Sequence, residues 1–102
     1  MATPTIPVIT ALEAEACASL YLSDRLPDRF SAGEPSFDAN AAGWRGPVFL
    51  SYPIVGSVGQ VGEIVVSSAS EQVLSHTPIN DMLAAAGLLY EQHRERIEAS
   101  LS

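Results

Sequence analysis

Between Gly46 and His76 three apolar stretches follow one another through connections too short for a crossover, which restricts this part of the chain to antiparallel pairing. Pro47-Val48-Phe49-Leu50-Ser51-Tyr52 predicts a strand, entered from Gly46 and closed by Pro53. Its nearly continuous apolar run implies that both of its faces are substantially covered. Gly56, Gly59 and Gly62 are expected to bracket a turn. The next strand, Val61 to Ser67, places Ile64 and Val66 on one face and Val61, Glu63 and Val65 on the other. Ser68-Ala69-Ser70-Glu71 reads as a hairpin loop and Gln72 to His76 as the returning strand. The expectation is a three-stranded antiparallel meander.

Helical patterns flank it. Thr10-Ala11-Leu12-Glu13 matches a capping box, in which Thr10 accepts from the amide three residues on and Glu13 reaches back. Leu12, Ala16 and Leu20 then line one face at helical spacing, with Cys17 and Tyr21 beside them, and this face is expected to be the buried one. Pro27 ends the helix by Leu26. At the other end Thr77 is the expected N-cap and Pro78 the first helical residue, with Asp81 near the positive end of the helix dipole. Ile79, Met82, Leu83, Ala86, Leu89, Tyr90, His93 and Ile97 form one apolar stripe. A helix from Pro78 to about Ala99 would be roughly 33 Å long. That exceeds what three short strands cover, so its last turns are expected to pack on a second subunit.

Met1 to Ile9 reads as an extended arm or a short edge strand. Residues 27–43 lose periodicity, with Phe30 and Phe37 as isolated anchors. They form either a packed irregular loop or a segment that orders on a partner. At 102 residues the whole is expected to be a single two-layer α+β domain: an N-terminal helix, the meander and a long C-terminal helix.

Charge narrows the function classes. Twelve carboxylates oppose five basic residues, all arginine, for a net charge of −7. Such a surface disfavours direct binding of nucleic acid or anionic membrane; it either simply keeps a small domain soluble or suits a basic protein partner. The absence of lysine excludes Schiff-base chemistry and a P-loop lysine. A single cysteine, Cys17, makes no internal disulfide and fits a reducing compartment. With no bilayer-length apolar run and no signal-peptide pattern, the chain is expected to be soluble and cytoplasmic.

No catalytic, metal or cofactor site emerges. Gly56 to Gly62 lacks both the dinucleotide spacing and the P-loop lysine, and it leads into a strand. His76 and His93 show no metal-ligand spacing. Ser75 and His76, adjacent on a strand, point to opposite faces, and Cys17 reads as a small hydrophobe. Glu63 and His76 are the polar pocket candidates; Glu63 is either a partly buried acid paired with Arg45 or a solvent-facing strand residue. Trp44, Arg45 and Tyr52 around the first meander strand, with Tyr90, His93 and Ile97 on the last helix, are the partner-contact candidates. A core role for Trp44 is the alternative.

Three segments carry a likeness: Gly46 to Pro53, Val61 to Val66, and Val73 to Ile79, together with Leu89-Tyr90-Glu91-Gln92-His93-Arg94. Over Trp44 to Glu98 the chain resembles a small bacterial and cyanobacterial protein family, with a hairpin similar to PepSY-like modules. Where that family has an Asp-x-x-Thr-Gly type of turn, this chain has Ser68-Ala69-Ser70-Glu71. The resemblance implies a helix packed on a short antiparallel meander and an accessory, inhibitory or antitoxin-like role, without assigning catalytic residues.

The functional expectation is a non-catalytic interaction module that binds a protein partner and forms a homodimer through its last helix. Two alternatives stand beside it. One is a small ligand-binding or enzymatic domain with a helix–sheet pocket, using Glu63, His76 or His93. The other is an acidic nucleic-acid mimic that occupies a nuclease or DNA-binding groove.

Overall fold

The computed structural model describes residues 7–53 and 55–101. It is an α+β structure in which two helices lie on one face of an antiparallel sheet. The first helix, α1, spans Ala11–Ser23. Its capping box forms as the sequence dictates: Thr10 Oγ1 accepts from the Glu13 amide at 3.1 Å, and Glu13 Oε1 accepts from the Thr10 amide at 2.9 Å. The arm or edge strand expected over Met1 to Ile9 lies outside the described residues as far as residue 6. Pro7 to Ile9 is not a strand, and the amides of Val8 and Ile9 both donate to the Ser68 carbonyl.

The buried face of α1 is the opposite of the expected one. Ala14, Ala18 and Leu22 turn inward, whereas Leu12 and Leu20 are 75% and 70% exposed. Both rows are apolar at i, i+4, i+8 spacing, and two residues of offset is about 200° around a helix. Periodicity therefore finds two equivalent faces. The alanine row goes inward, over Trp44, Gly46, Ile64 and Val66, leaving almost no space beneath the helix.

Residues 27–43, expected to be irregular, supply two further strands: β1, Phe30–Ala32, and β2, Ser36–Asp38. Both pair antiparallel with the same edge of β3, Gly43–Tyr52, at Val48–Leu50 and Gly43–Arg45 respectively. They are in effect one edge strand interrupted by Gly33, Glu34 and Pro35; a proline cannot donate to a ladder. Strands of three residues are too short to display an alternating pattern, which hid them in the sequence. Asp38 turns the chain into β3, its Oδ1 accepting from the amides of Asn40 and Ala41.

The rest of the sheet is the expected meander with shifted boundaries. β4 runs from Gly56 to Ser67, and β5 spans Val73–His76. The reversal falls between Tyr52 and Gly56, where Gly56 adopts φ +83°, so Gly59 and Gly62 belong to β4 and not to a turn. Register shifts between Val48 and Phe49 and between Leu50 and Ser51 leave Val61 and Val58 as extra residues on β4. Both valines are buried. At Gly62 a Cβ would lie 2.8 Å from Thr77 Cβ and 2.9 Å from Met82 Cγ, so glycine is what lets the next helix close on the strand.

That helix, α2, spans Ile79–Gln92 and continues along β4 beyond the end of β5, Met82 meeting Gly62 and Leu89 meeting Gly59. Thr77 does not cap it. Its hydroxyl accepts instead from the Glu63 amide at 2.9 Å, and Pro78 occupies the N-cap position. The single long C-terminal helix is also corrected. His93 leaves helical geometry at φ −116°, ψ 18°, its amide reaching the carbonyls of Leu89 and Tyr90, and a separate α3 follows over Arg94–Leu101. The bend returns Ile97 to the chain's own core, where it is fully buried with Leu22, Val48, Ile64, Val66 and Met82.

Candidate functional site

Alternation along the strands separates the sheet into two chemically different faces. Trp44, Gly46, Ile64 and Val66 face α1. Arg45, Pro47 and Glu63 belong to the other face, where they line an open depression of about 490 Å³ with Ser36, Asp38 and Gln60. Arg45 is the hinge of that surface. Its Nε and Nη2 both donate to Asp38 Oδ2 at 3.1 Å, and Nη1 donates to Glu63 Oε1. The hydrogen bonds from Arg45, with help from the Ala41 amide, hold the Asp38 carboxyl below the usual carboxylate range. Hydrogen bonding to Asp38 and the negative charge of Glu63 bind Arg45 still more firmly to its proton. Glu63 combines the two readings of the sequence: it is ion-paired with Arg45, yet its side chain is 47% exposed on the open face of the strand. The cluster stitches β2, β3 and β4 together, one guanidinium serving two carboxylates and leaving a net charge of −1.

His76 lies on the helix-facing side. It pairs with Ile64, its Nδ1 is 2.7 Å from the Thr77 carbonyl oxygen, and its Nε2 is 3.0 Å from the Tyr21 hydroxyl. A carbonyl can only accept, so Nδ1 carries the proton, and Nε2 accepts from Tyr21. The two polar pocket candidates, Glu63 and His76, are consequently not brought together: the sheet lies between them. The space enclosed between α1 and the sheet is about 10 Å³, close to the size of a single water. Cys17, half-buried on the flank of α1, has its thiol pushed up by burial and then by the charge of Glu71, which leaves it poorly nucleophilic.

The partner-contact candidates divide. Trp44 takes the core role: its ring meets Phe37 edge-on at 5.7 Å, and its Nε1 donates to the Ile9 carbonyl at 3.0 Å. Tyr52 is partly buried, with the Arg29 guanidinium 5.3 Å from its ring. Tyr90 donates to Glu98 Oε1 at 3.1 Å, which raises the phenol's pKa, and Arg94 donates to the same oxygen at 3.2 Å. His93 is half-buried at the junction of α2 and α3. Ile97 is fully buried, so it cannot form the seam of a dimer built on the last helix. Arg45 alone of the six is classed as exposed, and it is held by two carboxylates.

The exposed apolar surface lies elsewhere. Val8, Leu12 and Leu20 are 77%, 75% and 70% exposed, with Ala16 exposed between the leucines on the outward ridge of α1; Leu83 and Leu88 on α2 and Leu74 on β5 are exposed as well. The sequence held a signal for it, since Ala11–Ser23 is apolar on two opposite faces and a helix of that kind needs cover on both. Among the described residues no group of three or more His, Cys, Asp or Glu side chains is placed to hold a metal ion, and no helix is long and apolar enough to cross a membrane. Compared with family models, with curated proteins and with solved structures, the chain matches none.

Proposed function

We propose that this domain is a non-catalytic protein-interaction module, an adaptor- or inhibitor-like protein that acts by occupying a partner through the outward ridge of α1. The observation that carries the reading is the exposure of Leu12 and Leu20 on a helix whose other face is already buried. Burying a leucine side chain is worth about 1.5–3 kcal/mol, so leaving both largely in water forgoes a few kcal/mol, a sizeable fraction of the stability of a small domain. A partner recovers it. The acidic charge of −7 favours a partner whose surface around the apolar contact is basic. The surroundings of Glu63 and His76 support this reading over a ligand site in a helix–sheet pocket, because the first is ion-paired, the second is engaged by Tyr21, and no roomy cavity lies under α1. A cytoplasmic, antitoxin-like role fits the same module.

The test is affinity capture from the native host's lysate with the wild-type chain and with Leu12→Ser/Leu20→Ser. A stoichiometric protein retained at moderate salt by the wild type and lost by the double variant supports the reading. A protein retained equally by both, or one released by moderate salt alone, overturns it in favour of the charged surface as the binding element, as a nucleic-acid mimic would require.

A further inference from the structure

We infer that the partner taken by the α1 ridge is a cationic amphipathic helix, whose arginine or lysine side chains reach a pair of carboxylates at each end of the ridge. The inference rests on the reading of the ridge as an interaction surface and gives that surface its chemistry.

The ridge is apolar along its crest and acidic on both flanks. Leu12 and Leu20 stand to either side of Ala16, about 12 Å apart along the helix axis. Beside Leu12 a hollow of about 330 Å³ has Glu15 and Glu34 in its wall. Beside Leu20, on the opposite flank, a hollow of about 370 Å³ has Asp24 and Glu71. None of these four carboxylates forms a salt bridge among the described residues, whose ion pairs gather on Arg45 and Arg94. Arg25, which also lines the second hollow, is already engaged: its guanidinium lies 3.6 Å over the Tyr21 ring and donates to the Tyr21 carbonyl at 3.2 Å. The charge of Glu71 is accordingly felt at Cys17, where it adds to burial in pushing the thiol up.

Unpaired carboxylates beside exposed leucines attract a basic surface and repel an acidic one, a second copy of this chain of net charge −7 included. The geometry asks for cations at two places, one at each hollow, with apolar side chains between them. A helix laid diagonally across Ala16 supplies both. Its central apolar residues pack on Ala16 and between the leucines, and cations two turns apart, about 11 Å, come level with the two hollows. Arginine and lysine suit those ends, because their aliphatic stems lie along Leu12 and Leu20 while the charged heads stay hydrated at the carboxylates. Exposed ion pairs are each worth no more than about 1 kcal/mol, so the leucines hold the partner and the carboxylates steer it into place.

The probe is a synthetic helical peptide of roughly five turns, with leucines along the middle of one face and arginines at both ends of that face. Its association and dissociation rates on the immobilised chain are measured by surface plasmon resonance at several salt concentrations. The wild type should bind it, and should bind neither the same peptide with glutamate for arginine nor one of equal composition with leucines and arginines scattered around the helix. Glu15→Gln/Glu34→Gln/Glu71→Gln should slow association on the order of tenfold and flatten its salt dependence, with dissociation nearly unchanged. Asp28→Asn/Asp81→Asn/Glu95→Gln, which removes the same charge at exposed sites outside both hollows, should slow it far less. Leu12→Ser/Leu20→Ser, with an unchanged circular dichroism spectrum, should instead speed dissociation on the order of tenfold or more. A wild type that does not bind the arginine peptide overturns the inference. Equal slowing by the two triple variants, or equal binding of the scattered peptide, overturns it too, since net charge alone would then be acting. Capture from the lysate separates this outcome from the underlying reading. A protein held through the two leucines and indifferent to the Glu15, Glu34 and Glu71 substitutions leaves the ridge an interaction surface and removes only its cationic partner.

Discussion

The hydroxyl of Tyr21 lies 3.0 Å from Nε2 of His76, joining α1 to the end of β5 across 55 residues of sequence. The contact is reinforced from both sides. The Arg25 guanidinium sits 3.6 Å over the Tyr21 ring, and the Thr77 carbonyl receives the opposite nitrogen of His76. Because α1 displays a second apolar row, its rotation over the sheet must be set by directional contacts of this kind as well as by burial. With Trp44 Nε1 held by the Ile9 carbonyl at the other end of the helix, the alanine row is kept inward and the leucine ridge outward.

Tyr21→Phe should therefore destabilise the fold by about 1 kcal/mol, the net worth of one hydrogen bond, measured by urea denaturation. The neutral His76 ring should show the Nδ1–H tautomer in ¹⁵N NMR spectra of the wild type. In the Tyr21→Phe protein the shift of Nε2 should move, while that of Nδ1 stays, since only one of its two partners has been removed.

Acid should loosen the outer face of the sheet before the core. The Asp38 carboxyl titrates lower in the folded protein than in the unfolded chain, chiefly through its hydrogen bonds from Arg45. A group with a depressed folded pKa contributes stability that is complete above its unfolded value and lost as pH falls through its folded one. Stability measured in urea should fall as pH drops below about 4, the ordinary aspartate range. In Asp38→Asn that acid limb should be shallower, and the amides of Asn40 and Ala41, which lose a carboxylate acceptor, should exchange faster at neutral pH.

Gly62→Ala should cost about 1–3 kcal/mol, because the new methyl group falls within 2.9 Å of Thr77 and Met82 and forces α2 away from β4. Met82→Ala alone should cost about 2–5 kcal/mol through the cavity it leaves. The double variant should be less destabilised than the sum, since the alanine methyl then enters space the methionine vacates. Denaturation of all four proteins completes the cycle. Strict additivity would mean that Thr77, and not Met82, carries the clash.

Much of the backbone plan was legible in local sequence. The Thr10–Glu13 capping box, the antiparallel order of β3, β4 and β5, and the start of α2 near Pro78 rest on contacts within a few residues or on connections too short to allow anything else. The pairing of Arg45 with Glu63 was one of two readings the sequence left open; the choice needed the β3–β4 register, which brings Arg45 diagonally beside Glu63. Asp38, the other acid on Arg45, was not anticipated, since β1 and β2 exist only by virtue of the β3 edge they add to.

What the amino-acid sequence determined by itself was therefore the capped first helix, the three meander strands with their antiparallel connection, the start of α2 and the acidic charge, all consequences of local geometry and composition. Tertiary structure alone decided which side of α1 is buried, whether the last helix runs straight, and which glycines serve packing. Each of those depends on the shape of a neighbouring surface. Two apolar rows on one helix are equivalent until a sheet is laid against one of them, and a stripe that continues through His93 bends when Ile97 finds its place in the core.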